Sequence, residues 1–111
     1  MRNDYCVIMT TVAHKDAARR LTAALLEARL AACIQHLPIE SYYTFEGREC
    51  VEGEILLLIK TRYELYDAVE NVMTAEHPYK VPELIMLPVE NGLEAYLSWI
   101  DESVGGSRFT A

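Results

Sequence analysis

The 111-residue sequence has few cysteines and glycines, and it has no long hydrophobic run. Its three cysteines, Cys6, Cys33 and Cys50, include no C-x-x-C pair, which argues against a disulfide framework and excludes a four-cysteine zinc site. The five glycines form neither a P-loop nor a dinucleotide-binding pattern. The longest aliphatic run, residues 55–59, is far shorter than the ~20 residues of a membrane-spanning helix, and the N-terminus lacks an apolar secretion signal. We therefore expect a cytoplasmic protein without a membrane partner.

The negative charge is unevenly distributed along the chain. Residues 1–62 carry eight basic and eight acidic side chains, whereas residues 63–111 carry two basic and nine acidic ones, so the net charge of −7 lies in the second half. Nucleic-acid binding requires basic side chains that neutralise phosphates, so we expect no nucleic-acid partner. Acidic surface generally confers solubility, and the partner it favours electrostatically is a cation. The length and the hydrophobic content of 51% are typical of one globular domain with a single core.

The hydrophobic pattern predicts four strands and three helices. A β-branched apolar run marks the first strand, and apolar residues at three- and four-residue spacing mark each helix. Pro38 requires the second strand either to bulge or to lie at a sheet edge, and Gly47 supplies the positive φ of a hairpin turn. The predicted elements are strand 5–12, helix 15–30, strand 33–37 resuming at 40–45, turn 46–48, strand 49–62, helix 64–76, strand 84–89 and helix 93–104.

This order of elements, β-α-β-β-α-β followed by a helix, predicts an α+β protein with a ferredoxin-like sandwich. Its antiparallel sheet has two helices on one face and a long hairpin between the second and third strands. Because the strands are apolar on both faces, we expect further copies of the chain to cover the second face. We expect Asp16, or His14, to cap the first helix, Asn91 and Glu94 to form a capping box on the last, and residues 104–111 to form a flexible tail.

Residues 76–83, E-H-P-Y-K-V-P-E, are the densest candidate for a functional segment. Imidazole and carboxylate groups are ligands of divalent metals, and two prolines stiffen the loop that carries them. The alternative is a helix-to-strand connector in which His77 only caps the helix end. Lys60, at the end of an apolar strand, either extends its ammonium to solvent or contacts an anion. No nucleophile motif is present, which indicates a protein that is not an enzyme.

Several segments make the chain resemble the CutA family of divalent-cation tolerance proteins. The most specific combination is A-R-L-A-A-C at 28–33 with H-P-Y-K-V-P-E-L at 77–84. The other segments are Y-Y-T-F-E-G at 42–47, L-I-K-T at 58–61, L-P-V at 87–89 and Y-L-S-W-I at 96–100. The resemblance covers about residues 5–103, which makes residues 1–111 a single CutA-like domain.

The resemblance implies the ferredoxin-like fold and a cytoplasmic homotrimer in which the long hairpins pair with neighbouring subunits. This architecture is similar to that of the PII signalling proteins. The family is linked to copper tolerance and to the binding of divalent metals, and no catalytic reaction is established for it. The implied role is therefore metal homeostasis, with copper or another divalent metal bound and no organic cofactor.

The resemblance also places candidate ligands. Family members with a described copper site have a cysteine at the end of the first strand and two histidines before the proline, and here these positions hold Thr10, Glu76 and His77. The expected metal ligands are therefore His77 and Glu76. The expected residues of a ligand cleft between subunits are Lys60, Tyr79, Glu83 and Trp99. Two alternative functions are a PII-like sensor of a small anionic metabolite and a trimer that anchors another protein.

Overall fold

Two long strands that form a hairpin make up the largest part of the sheet. The computed structural model describes residues 4–105, and the predicted order of elements is confirmed there. The strands are antiparallel and lie in the order β2-β3-β1-β4, as expected for the α+β sandwich. The elements are β1 (Tyr5–Val12), α1 (Lys15–Glu27), β2 (Cys33–Phe45), β3 (Arg48–Arg62), a 3₁₀ turn (Tyr63–Leu65), α2 (Tyr66–Glu76), β4 (Ile85–Pro88) and α3 (Glu94–Ser103).

The β2–β3 hairpin pairs in an unbroken register over the full length of β2. Glu46 and Gly47 form its turn with φ values of 51° and 77°, and two positive φ values match the right-handed twist of the strands. Pro38 stays in register opposite Ile55, and β2 lies at the edge of the sheet. The edge position predicted as one option for Pro38 is therefore confirmed, because an edge strand tolerates the missing backbone N–H.

The hydrophobic core lies between one face of the sheet and helices α1 and α2. Alternate residues of β1 and β3 reach it because successive side chains of a strand point to opposite faces. The buried residues of this core are Cys6, Ile8, Val12, Ala17, Ala18, Leu21, Leu25, Ala31, Leu57, Ile59, Val69 and Met73. Both of these helices therefore cover the same face of the sheet.

The opposite face of the sheet, here called the open face, is apolar and largely uncovered in the single chain. Its aliphatic side chains, placed there by strand alternation, are Val7, Met9, Leu37, Ile39, Leu56, Leu58, Ile85 and Leu87. Leu37 is 51% exposed and Leu87 is 48% exposed. Helix α3 covers only one end, where Leu97 and Ile100 pack with Tyr5. An apolar surface of this kind is typical of a face that another molecule covers.

A small polar cluster fastens α3 to the sheet. Asp101 accepts a hydrogen bond from the Tyr5 hydroxyl at 2.8 Å and from the Arg62 guanidinium at 2.5 Å. Arg62 also pairs with Glu64 at 2.8 Å and lies 5.2 Å from the centroid of the Tyr5 ring. These contacts join the start of β1, the end of β3 and the last turns of α3.

Helix α1 ends at Glu27, three residues earlier than predicted. Arg29 adopts a left-handed conformation with φ of 56°. Its N–H bonds the carbonyl oxygen of Leu26 at 3.0 Å, and the N–H of Leu30 bonds that of Leu25 at 2.9 Å. This pair of bonds is the Schellman arrangement that closes a helix. The apolar spacing continues past this point, so the periodicity alone extended the helix too far.

Neither predicted side-chain cap is formed, although His14, one of the two residues expected for the first helix, does occupy the cap position. The residue before α1 is His14, which is extended and makes no side-chain cap bond, whereas Asp16 lies inside the first turn. The residue before α3 is Leu93, and the side chain of Asn91 instead accepts the backbone N–H of Gly92. Capping depends on the backbone conformation at the cap position, and residue type alone does not specify that conformation.

The chain after α3 stays attached to the fold as far as Gly105. Val104 is fully buried, and the Gly105 N–H donates to the carbonyl oxygen of Arg29 at 2.9 Å. These two residues were expected in a flexible tail, and they are instead held in place. The rest of that predicted tail, 106–111, lies outside the described residues. Within 4–105, no helix is both long enough and apolar enough to span a membrane.

Candidate functional site

The loop after α2 carries His77, the predicted metal ligand. Helix α2 ends at Glu76 because a residue that precedes proline avoids the helical conformation, and His77 is extended with φ −70° and ψ 135°. The His77 ring lies against the end of β1. Its Nε2 is 2.9 Å from the carbonyl oxygen of Thr11, and its Nδ1 is 3.0 Å from the backbone nitrogen of Tyr79. One side chain therefore ties the loop to the sheet.

These two contacts determine the protonation state of His77. A carbonyl oxygen only accepts, so Nε2 donates its proton to Thr11, and the lone pair of Nδ1 accepts the Tyr79 N–H. Burial lowers the pKa of His77 below its ordinary value of 6.5, against the opposing effects of the Thr11 bond and the charge of Glu54. The ring is neutral and both of its nitrogens are engaged. A metal reaches Nδ1 only if the Tyr79 N–H bond is broken.

The other two positions implied for copper add no strong donor. Glu76 is exposed at the end of α2, and Thr10 is fully buried on the core face of β1. The Thr10 hydroxyl has no hydrogen-bond partner among the described residues, and a neutral hydroxyl is a poorer copper ligand than a thiolate. Residues 4–105 hold no group of three or more His, Cys, Asp or Glu side chains placed for a metal ion. The donor set of one chain does not fit a resident metal centre.

The four residues expected in one ligand cleft lie at two places in the single chain. Tyr79 and Glu83 lie beside the hairpin, where the loop after α2 meets the end of β1. Lys60 lies near the start of β1, and its ammonium is 5.7 Å from the centroid of the Tyr96 ring. The Tyr96 and Trp99 ring centroids are 5.5 Å apart. A single chain therefore assembles two half-sites rather than one cleft.

A cleft of 830 Å³, here called the hairpin cleft, lies between the hairpin and the loop after α2. Two glutamates and two tyrosines form linked pairs within it. The Tyr79 hydroxyl donates to Glu54 Oε2 at 2.8 Å, and the Tyr43 hydroxyl donates to Glu52 Oε1. The bond to Glu52 raises the pKa of Tyr43 to about 12, and burial, followed by the bond to Glu54, raises the pKa of Tyr79. Both tyrosines stay protonated and orient the carboxylates.

Three residues of the hairpin cleft, Tyr43, Glu52 and Glu54, were not among the site residues predicted from the sequence. Strand alternation was an available signal, because residues 52 and 54 share the open face with the aliphatic residues that follow them on β3. No local pattern places Tyr79 next to Glu54, however, since the two residues are 25 positions apart. The path of the loop after α2 creates this contact.

Known proteins are similar to this chain in both sequence and fold. The rice protein described as "Protein CutA 1, chloroplastic" is 43% identical over 98 residues, which cover 87% of this chain and 55% of the rice protein. The "Divalent-cation tolerance protein CutA" of Thermus thermophilus is 38% identical over 100 residues, which cover 89% of this chain and 97% of that protein. The chain thus spans about half of the rice protein and nearly all of the Thermus protein.

Solved structures of CutA proteins are similar to this chain in fold. The crystal structure of rice CutA1 superimposes with a TM-score of 0.89 at 40% identity and covers 93% of this chain and 95% of that one. The structure described as the periplasmic divalent cation tolerance protein CutA of Archaeoglobus fulgidus has a TM-score of 0.88 at 36% identity and covers 91% and 99%. The sequence model of the family described as "CutA1 divalent ion tolerance protein" matches residues 6–103. The chain therefore belongs to the CutA1 divalent ion tolerance family.

Proposed function

We propose that this chain acts in divalent-cation tolerance as a cytoplasmic homotrimer that binds copper or a related divalent metal and catalyses no reaction. The family match over residues 6–103 carries the role in divalent-cation tolerance. The metal is bound as cargo rather than as a resident cofactor, because one chain offers no group of three ligands within residues 4–105. The proposed ligands are His77 and Glu76, with the Tyr79 N–H released when the metal binds.

Two features of the sheet support the trimer. The open face exposes aliphatic side chains that water does not stabilise, and β2 is an edge strand whose outer backbone groups can pair with another chain. Sedimentation equilibrium is expected to give three times the chain mass of 12.6 kDa. Leu87→Glu, on the open face, is expected to dissociate the assembly, whereas Ala75→Glu, on the exposed side of α2, leaves it intact. A monomeric wild-type chain contradicts the proposal.

Equilibrium dialysis of the metal-free protein against Cu²⁺ with competing Zn²⁺ tests the metal. The variants are Glu76→Gln, His77→Ala and His77→Asn. Asparagine retains an acceptor for the N–H two residues ahead but lacks the imidazole, so it separates ligation from loop structure. Near one copper per wild-type chain, reduced in all three variants, supports the proposal. Negligible copper on the wild type, or equal copper on all the proteins, overturns it.

A second function, binding of a small organic anion, is favoured by the surroundings of Lys60. Lys60 is a partly buried residue, its ammonium lies over the Tyr96 ring, it lines a cavity of 210 Å³, and no carboxylate pairs with it among residues 4–105. A ligand specific for the native state raises the melting temperature. Small carboxylates and nucleotides are expected to raise it in the wild type and in Lys80→Met, but not in Lys60→Met. No rise with any of these anions overturns this second proposal.

A further inference from the structure

The loop between β4 and α3 contains the dipeptide Asn91–Gly92. Residues 89–93 form no regular secondary structure, and both Asn91 and Gly92 are exposed. Val89, two residues earlier, donates its N–H to the Tyr5 carbonyl oxygen and packs against the apolar cluster that joins α3 to the sheet. The dipeptide therefore lies beside α3, at the end of the sheet that the chain itself covers, rather than on the uncovered part of the open face.

The side chain of Asn91 is in direct contact with the backbone nitrogen of Gly92. The Gly92 N–H donates to Asn91 Oδ1 at 2.9 Å. The carbonyl carbon of the Asn91 side chain is bonded to that oxygen, so the nitrogen lies against the carbon with which it can close a five-membered ring. Groups that are held together in this way react faster than groups that must first meet.

Glycine is the residue that leaves this backbone nitrogen most open to reaction. It has no Cβ, so nothing beside the nitrogen hinders its approach to the Asn91 side chain. The packing of α3 also favours glycine here, because a Cβ on residue 92 would lie 3.1 Å from Leu97 Cδ2 and 3.3 Å from Leu97 Cγ. The contact between α3 and the loop therefore keeps a glycine next to Asn91.

We propose that Asn91 is a site of spontaneous covalent modification, at which the side-chain amide becomes a carboxylate. Hydroxide removes the proton of the Gly92 N–H, and the nitrogen attacks the side-chain carbonyl carbon of Asn91. The bond from that carbon to the amide nitrogen of the side chain breaks, and this nitrogen takes a proton from water and leaves as ammonia. Water then opens the cyclic imide at either carbonyl, which gives aspartate or, after attack on the backbone carbonyl, isoaspartate.

The new carboxylate changes the surroundings of Lys60. Asn91 and Lys60 line the same cavity of 210 Å³. A carboxylate in this cavity attracts the Lys60 ammonium and repels an anionic ligand, so the modified chain is expected to bind small anions more weakly. The modification itself goes beyond both proposed functions, and only this effect on anion binding rests on the second of them.

Timed incubation of the full, metal-free chain at pH 8 and 37 °C, with digestion at acidic pH and peptide mass spectrometry, tests the modification. The peptide that contains residue 91 is expected to gain the mass of an amide-to-acid conversion and to give two products, aspartate and isoaspartate. Its conversion is expected to be faster at pH 9 than at pH 7, because hydroxide starts the reaction.

Asn71 is the internal control in the same chain. It is exposed like Asn91, but it lies inside α2, where the helix holds the next N–H in a backbone hydrogen bond, and the next residue is the β-branched Val72. Conversion at Asn91 is expected to be at least about tenfold faster than at Asn71, a difference of about 1.4 kcal/mol in the barrier. Equal conversion at the two residues, or conversion of Asn91 only in chain unfolded by guanidinium chloride, overturns the proposal.

The effect on Lys60 has a separate test. Asn91→Asp carries the product side chain, and Asn91→Gln keeps an uncharged amide as its control. Small carboxylates are expected to raise the melting temperature less in Asn91→Asp than in the wild type and in Asn91→Gln. Equal rises in all three proteins overturn the effect on Lys60. No rise in the wild type overturns the second function and this effect with it, whereas the mass spectra alone decide the modification.

Discussion

Replacing His77 separates its structural role from metal ligation. In metal-free protein, His77→Ala removes the bond that Nε2 donates to Thr11 and the bond that Nδ1 accepts from Tyr79. Each hydrogen bond contributes about 0.5–1.5 kcal/mol net, so the free energy of unfolding is expected to fall by about 1–3 kcal/mol. His77→Asn is expected to lose about half as much, because its side chain can still accept the Tyr79 N–H.

Urea unfolding with a chelator present, followed by the fluorescence of Trp99 and by circular dichroism at fixed protein concentration, measures this loss. With a slope of about 1–3 kcal/mol per molar urea, the expected shift of the midpoint is about 1 M for His77→Ala. If the metal-free variant is as stable as the wild type, the ring does not hold the loop. His77 then has no structural role, and a free metal ligand becomes its better description.

The two hydrogen bonds of the neutral His77 ring also predict that the free energy of unfolding depends on pH. Burial lowers the pKa of His77 in the folded chain below its ordinary value of 6.5, so the unfolded chain binds the proton more readily. The stabilisation by the neutral ring is therefore complete above pH 6.5 and is lost as the pH falls through the lower, folded-state pKa. The stability difference between the wild type and His77→Ala is expected to shrink as the pH is lowered from 8 to 5. A stability difference that stays constant from pH 8 to 5 contradicts a lowered pKa of His77 in the folded chain.

Three further predictions concern the fold. Asp101→Ala is expected to lower the free energy of unfolding in urea by about 1–2 kcal/mol through loss of the Tyr5 and Arg62 contacts, and Asp101→Asn by less; no loss in either variant means that the cluster does not fasten α3. Gly47→Ala is expected to cost about 1 kcal/mol in the same assay, from its φ of 77° alone, since no atom lies within 4 Å of an added Cβ; an unchanged midpoint argues against the turn geometry. Burial raises the pKa of Cys6 to about 11, so at pH 8 about one thiol in a thousand is ionised, and mass spectrometry is expected to show alkylation of Cys6 only after unfolding; rapid labelling of the native chain refutes its burial.

Local patterns were sufficient for most of the fold. The β-branched run of residues 5–12 predicted β1 to the residue, and Gly47 placed the hairpin turn. Helix ends were less predictable. Helix α1 stops early because Arg29 turns left-handed, a conformation that its residue type does not favour.

The candidate site depended far more on tertiary structure. The sequence identified the loop of residues 76–83 and the chemistry of His77, but it left open whether the ring is a metal ligand or a connector. The answer depends on Thr11, which is 66 positions away in the sequence. Strand alternation could place Glu54 only on the open face, and Glu54 became part of a site through its contact with Tyr79.

The sequence by itself indicated the family, through segments that resemble it. It also determined the order of strands and helices and an apolar sheet face without a partner in its own chain, because these two features follow from residue type and spacing along the chain. Tertiary structure alone decided that both nitrogens of His77 are engaged, that Lys60 and Tyr79 lie in different parts of the molecule, and that two glutamates of the hairpin accept hydrogen bonds from Tyr43 and Tyr79. These properties depend on distances of a few ångströms between distant residues, which are set by how the loops return the chain to the sheet.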